Sequence, residues 1–166
     1  MRMWESFDKN EISLLIILIV AYIAYFLFHR RVNPQIRKLG LLWGITIGIL
    51  FDFTIGGGLL DYYRINDSNH YEVADVFYYL DFGPFGFFFF YFYETFHIHK
   101  KTFIYYTVAW AIIGVAAQWL FTSLDIITLQ KGYHLAYSFP IFLVVQTATG
   151  AFIEQVKKRE QILVKS

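Results

Sequence analysis

Gly40, Gly44, Gly48, Asp52 and Gly56 fall every four residues along one apolar stretch. Small residues at that spacing share one face of a helix and let a second helix approach closely inside a bilayer. The stripe therefore predicts a membrane helix packed tightly against a neighbour. It also places Asp52 in the contact, away from lipid. An ionisable side chain at membrane depth is costly and marks a candidate functional site. Gly114 and Gly150 extend the same helix-packing expectation to two later segments.

Composition agrees with a membrane setting. Of 166 residues, 57% are hydrophobic and only 16% charged, against about a quarter charged in soluble domains. Cysteine is absent, which excludes disulfides, thiolate metal sites and a cysteine nucleophile. A net charge of +1 argues against nucleic acid as a partner.

Five segments are long and apolar enough to span a bilayer, which takes about 20 residues each. They run roughly 12–28, 39–60, 76–96, 102–124 and 135–156. The expected fold is all-α, a polytopic integral membrane helix bundle forming a single domain over residues 1–166. Lys and Arg sort by side. Arg30, Arg31, Arg37, Lys38, Lys100, Lys101, Lys157, Lys158, Arg159 and Lys165 fall on one side, and Arg2, Lys9, Arg64 and Lys131 on the other. Basic residues favour the cytoplasm, so the N-terminus is expected outside, the C-terminus cytoplasmic and the location the cell membrane. The first span has its basic cluster after the apolar run, as a reverse anchor does and a cleaved signal peptide does not.

Helix rise sets approximate depths. Asp52 lies roughly 20 Å above the inner boundary, Gln118 roughly 24 Å above it, and Asp81 about 7–8 Å below the outer one. Gln146 falls nearer the midplane. These four form the expected buried polar set, a candidate proton or ion site. Gln118 and Gln146 also suit plain interhelical hydrogen bonding. Thr107, Ala111, Gly114, Gln118, Thr122 and Asp125 make a small and polar stripe on the fourth span, and Gln146, Gly150 and Glu154 a shorter one on the fifth. Both should face inward. Glu94 and Glu154 are expected to form ion pairs at the cytoplasmic surface.

The loop from Asp61 to Asp75 faces outside and is acidic. Asp61, Asp67, His70, Glu72 and Asp75, with Asp125 and His134 nearby, form a candidate site for a divalent cation, since carboxylates and imidazole suit such ions. The plainer reading is a solvated loop, acidic because basic residues are disfavoured there. No cofactor is expected. Gly83-Pro84 is expected to kink or break the third span. With Gly56-Gly57-Gly58 at the same end, this suggests an outward pocket lined by Asp52, Asp61 and Asp81. The aromatic run Phe87–Tyr93 is expected to face lipid and neighbouring helices.

The segment Asp61–Glu94 resembles small multi-pass membrane proteins of Bacillus-like Firmicutes. The resemblance rests on Asn66-Asp67-Ser68, Tyr71-Glu72, Asp75, Gly83-Pro84-Phe85-Gly86 and Tyr91-Phe92-Tyr93-Glu94, and covers about a fifth of the chain. It implies a bacterial plasma membrane and no particular activity or catalytic residue.

No G-x-S-x-G, H-E-x-x-H or Walker A pattern is present. The leading expectation is a non-enzymatic accessory, sensor or small-solute or ion-handling subunit with a buried carboxylate, partnered by lipid and by a second copy or another membrane subunit. A homo-oligomeric proton- or cation-coupled transporter, joined through the glycine stripe, comes second. A metal-dependent membrane enzyme using the outer acidic residues comes third.

Overall fold

The computed structural model describes residues 9–65 and 73–164. Five helices follow the order expected from the sequence: α1 (Lys9–Phe28), α2 (Pro34–Thr54), α3 (Val73–Thr95), α4 (Phe103–Ser123) and α5 (Leu135–Val164). Three of them, α1, α4 and α5, are long and apolar enough to cross a membrane. A feature outside the all-α expectation is a small antiparallel ladder. Here β1 (Tyr63–Ile65) pairs with β2 (Ile127–Leu129), with Arg64 opposite Thr128.

Local chemistry sets the helix ends. The Asn33 side chain accepts a hydrogen bond from the Gln35 amide at 2.9 Å, and Pro34 occupies the first helical position of α2. That helix stops at Thr54, six residues before the expected end, where Gly56-Gly57-Gly58 releases the chain. At the end of α3, the Ile98 amide donates to the Tyr93 carbonyl and the His97 amide to the Glu94 carbonyl. His97 has φ +49°, so it takes the left-handed position that glycine usually fills in this helix stop. Asp125 ends α4 in the same way, with φ +59°.

The tightest contact joins α2 to α3. A Cβ built on Gly86 would sit 2.5 Å from the Gly40 carbonyl oxygen and 2.6 Å from the Gly44 Cα. Gly48 faces the Phe82 ring. The stripe is thus consumed within the chain, by a glycine of α3, and is not a free surface for a second copy. Gly114 packs on Phe142 and Gly150 on Phe103, joining α4 to α5.

The third helix is the centre of the bundle. From Asp81 to Tyr93 it has no exposed residue. The aromatic run is therefore core and not lipid surface: Phe87, Phe89, Phe90, Tyr91 and Tyr93 are all buried. A helix apolar on every side is an interior helix. The exposed apolar residues lie elsewhere, for example Ile16, Ile19 and Ile23 on α1 and Ile112 and Trp119 on α4.

Pro84 does not break α3, which is one helix from Val73 to Thr95. Proline removes the amide that would bond to the Leu80 carbonyl. The Tyr22 hydroxyl of α1 donates to that carbonyl instead, at 3.3 Å. An outside donor of this kind is how membrane helices tolerate proline.

Gly86→Leu is expected to cost about 3 kcal/mol or more, because overpacking pushes two backbones apart. Gly57→Ala, where nothing lies within 4 Å of the added carbon, should stay within about 0.5 kcal/mol of the wild type. Thermal unfolding of both variants in detergent checks the contrast.

Candidate functional site

Two helix groups face each other across an aromatic seam. On one side are α2 and α3, on the other α4 and α5. Trp43 of α2 stacks on Phe152 of α5 at 4.0 Å, and its indole donates to the Thr149 hydroxyl at 2.9 Å. Phe85 and Phe89 of α3 meet Trp110 of α4 at ring distances of 5.0 and 5.4 Å. Rings this large hold the helices apart, and the gaps between them are cavities.

The larger cavity, about 80 Å³, lies between α3 and α4. Asp81 and Gln118 line it, with Tyr78, Phe82, Phe121 and Phe142 among its walls. A second cavity of about 50 Å³ adjoins it through the shared walls Phe51, Phe82, Phe85 and Phe142, and carries Gln146 and Thr149. Ile127 of β2 also lines the larger cavity, so the β1–β2 ladder borders it.

Asp81 and Gln118 are 7% and 5% exposed. Both carboxylate oxygens of Asp81, and both the oxygen and the nitrogen of the Gln118 amide, have no hydrogen-bond partner among the described residues. Buried polar atoms are nearly always paired. An orphan costs roughly 1–3 kcal/mol, and more when charged. Four orphan atoms in one cavity therefore mark a place where stability is given up. The expectation of a plain interhelical hydrogen bond fails for Gln118.

Asp52 is held differently. It is 3% exposed, and one of its carboxylate oxygens accepts a hydrogen bond from the Tyr79 hydroxyl at 2.6 Å. A Cβ on Gly56 would collide with Asp52 and with the ring end of Tyr63, so Gly56 makes room for both. Burial holds the Tyr63 phenol well above its ordinary range, and the chain keeps it as a neutral hydroxyl beside Asp52. Asp52 is not among the residues lining either cavity. These two cavities thus do not bring Asp52, Asp61 and Asp81 together as expected, and of the three only Asp81 lines either of them.

The described members of the expected acidic site are dispersed. Asp61 pairs with Lys131 at 3.0 Å. Asp75 is buried on α3. Asp125 is exposed at the helix stop, and His134 is exposed against the Tyr137 ring. Asp67, His70 and Glu72 lie outside the described residues. Among the described residues, no three carboxylates or imidazoles come together to hold a metal. At the other end of the bundle, Glu94 of α3 pairs with Lys157 of α5 at 2.8 Å, and Glu154 accepts from the Tyr93 hydroxyl at 2.9 Å.

Depth along the helices grouped Asp81 and Gln118 with Asp52 and Gln146 but gave no sign of the partners of the other groups. Gly83 and Gly86, three residues apart, were the available signal that α3 receives the glycine stripe. Nothing in the spacing pointed to Tyr79 or Tyr63 as neighbours of Asp52.

Replacing Asp81 and Gln118 together by leucine is expected to raise the melting temperature of the empty protein. Removing both partners of an unsatisfied pair is neutral to stabilising, and the orphan cost of about 1–3 kcal/mol per group is returned. Differential scanning fluorimetry of the double variant checks this, and a fall in melting temperature contradicts it.

Comparison of the chain with protein-family models, with curated proteins and with solved structures finds no match.

Proposed function

We propose that this chain is a five-span plasma-membrane protein, N-terminus outside, that works as a non-enzymatic small-solute or ion-handling subunit. The observation that carries the reading is the pair of orphan polar side chains, Asp81 and Gln118, in the cavity between α3 and α4. A binding pocket is mostly apolar with a few convergent polar groups, and an intramembrane acid is by default a functional group.

The five-span topology draws support from the β1–β2 ladder. β1 belongs to the connection between α2 and α3, and β2 to the one between α4 and α5. Pairing puts both connections at one end of the bundle. The second and third helices then run the same height as the two apolar helices beside them. At 21 and 23 residues they reach about 31 and 35 Å, enough for a hydrocarbon core of about 30 Å. Their lower hydropathy suits helices that bury glycine, tyrosine and carboxylate against protein.

The absence of cysteine makes the wild type a ready background for labelling. Single cysteines at Arg64 and Lys131 are expected to react with an impermeant maleimide from outside intact cells. Cysteines at Lys100 and Lys158 should react only after permeabilisation. A cysteine at Arg64 that reacts only from inside refutes the five-span topology. The solute-handling reading is tested by native mass spectrometry after gentle extraction from the host membrane. A bound non-lipid solute or ion is expected on the wild type, with its occupancy reduced in Asp81→Asn. Folded wild-type protein carrying lipid alone overturns it.

A further inference from the structure

The solute-handling reading leaves the solute open, and the cavity narrows it. The larger cavity offers three buried acceptor atoms without a partner, the two Asp81 carboxylate oxygens and the Gln118 amide oxygen, against one unpaired donor, the Gln118 amide nitrogen. Among the described residues lining the cavity, Asp81 is the only charged one. The rest of the wall is chiefly aromatic, including Phe82, Phe85, Phe121 and Phe142.

Three ligand classes can be weighed against that wall. A hard metal cation requires about six to eight oxygens, while Asp81, Gln118 and the Tyr78 hydroxyl together supply four. A quaternary ammonium would satisfy the charge and the ring faces but has no N–H for the orphan acceptors. A primary ammonium has three N–H donors, one for each orphan acceptor. Its positive charge answers Asp81, its apolar body replaces water along the rings, and the ring faces attract the cation as well.

We propose that the cavity between α3 and α4, about 80 Å³, binds a primary ammonium carried on a short aliphatic body, with Asp81 as counter-ion and Gln118 as second acceptor. This rests on the solute-handling reading and specifies its ligand. The same headgroup chemistry occurs in free amines and in the ethanolamine headgroup of a lipid.

The test uses the full chain purified in detergent, with ethylamine as probe and binding read by isothermal titration calorimetry. Saturable binding is expected. The neutral isostere ethanol and the tetramethylammonium ion should each bind at least tenfold more weakly. Asp81→Asn should weaken ethylamine at least tenfold while still unfolding cooperatively. Gln118→Leu, which removes one acceptor without touching the charge, should also weaken it, and it provides the readout if Asp81→Asn does not fold. Equal binding of amine and alcohol overturns the proposal, as does amine binding unchanged in a folded variant. So does a response confined to sodium, potassium or magnesium ions, although that result would leave the solute-handling reading standing. Absence of binding by every probe overturns the amine proposal alone, because the wider reading stands or falls on native mass spectrometry. Repeating the titration in phosphatidylcholine nanodiscs with and without phosphatidylethanolamine separates the two sources. Competition by phosphatidylethanolamine supports a lipid amine as occupant, and unchanged binding supports a free one.

Discussion

The backbone contact between α2 and α3 is the constraint on which the rest of the bundle depends. Gly40 and Gly44 meet Gly86 with no room for a side chain between them. Small residues at four-residue spacing let two helix backbones come into van der Waals contact, which a side chain on either would block. Locking α2 onto α3 fixes which face of α3 remains for α1 and which for α4. Tyr22 of α1 then reaches the carbonyl freed by Pro84, and the Phe85 and Phe89 rings point to Trp110 on α4.

The two halves of the bundle are joined by opposite means. Within the α2–α3 pair, small residues bring backbones together. Between that pair and α4–α5, large rings keep backbones apart. Trp43 against Phe152 and Phe51 against Phe142 bridge the seam at ring distances of 4.0 and 5.3 Å. Flat rigid rings do not fill an irregular gap completely, and native interiors otherwise leave few voids larger than water. The cavities at Asp81 and at Gln146 follow from this mode of packing. The ladder at one end and the Glu94–Lys157 pair hold the seam at its two ends.

Two buried aspartates on adjacent helices have different surroundings. Asp52 is supplied with a phenol donor and a glycine that makes room for it, the arrangement of a group that fastens helices. Asp81 has neither and opens on a cavity with a second orphan side chain. Burial alone does not separate the cases, since both are almost fully covered. What separates them is whether the surrounding chain answers the polar atoms, because an unanswered one persists only at a cost.

By itself the sequence determined the helical class, the order of five helices, the inward faces of α2 and α4, and the tight packing of the glycine stripe. All of these follow from periodicity and composition, which are local properties. The stripe at 40, 44 and 48 needs a close neighbour whatever that neighbour is. Only the tertiary structure decided that the neighbour is α3 and not a second copy, and that Pro84 leaves its helix intact because Tyr22 supplies a donor. It also decided that the aromatic run is core, since α3 is surrounded by the other helices. The candidate site divided in the same way. Depth along the helices brought out Asp52, Asp81, Gln118 and Gln146 as one layer. Which of them face one cavity depends on helix rotation and on the partners that side chains find across the bundle, and no spacing within a single helix encodes that.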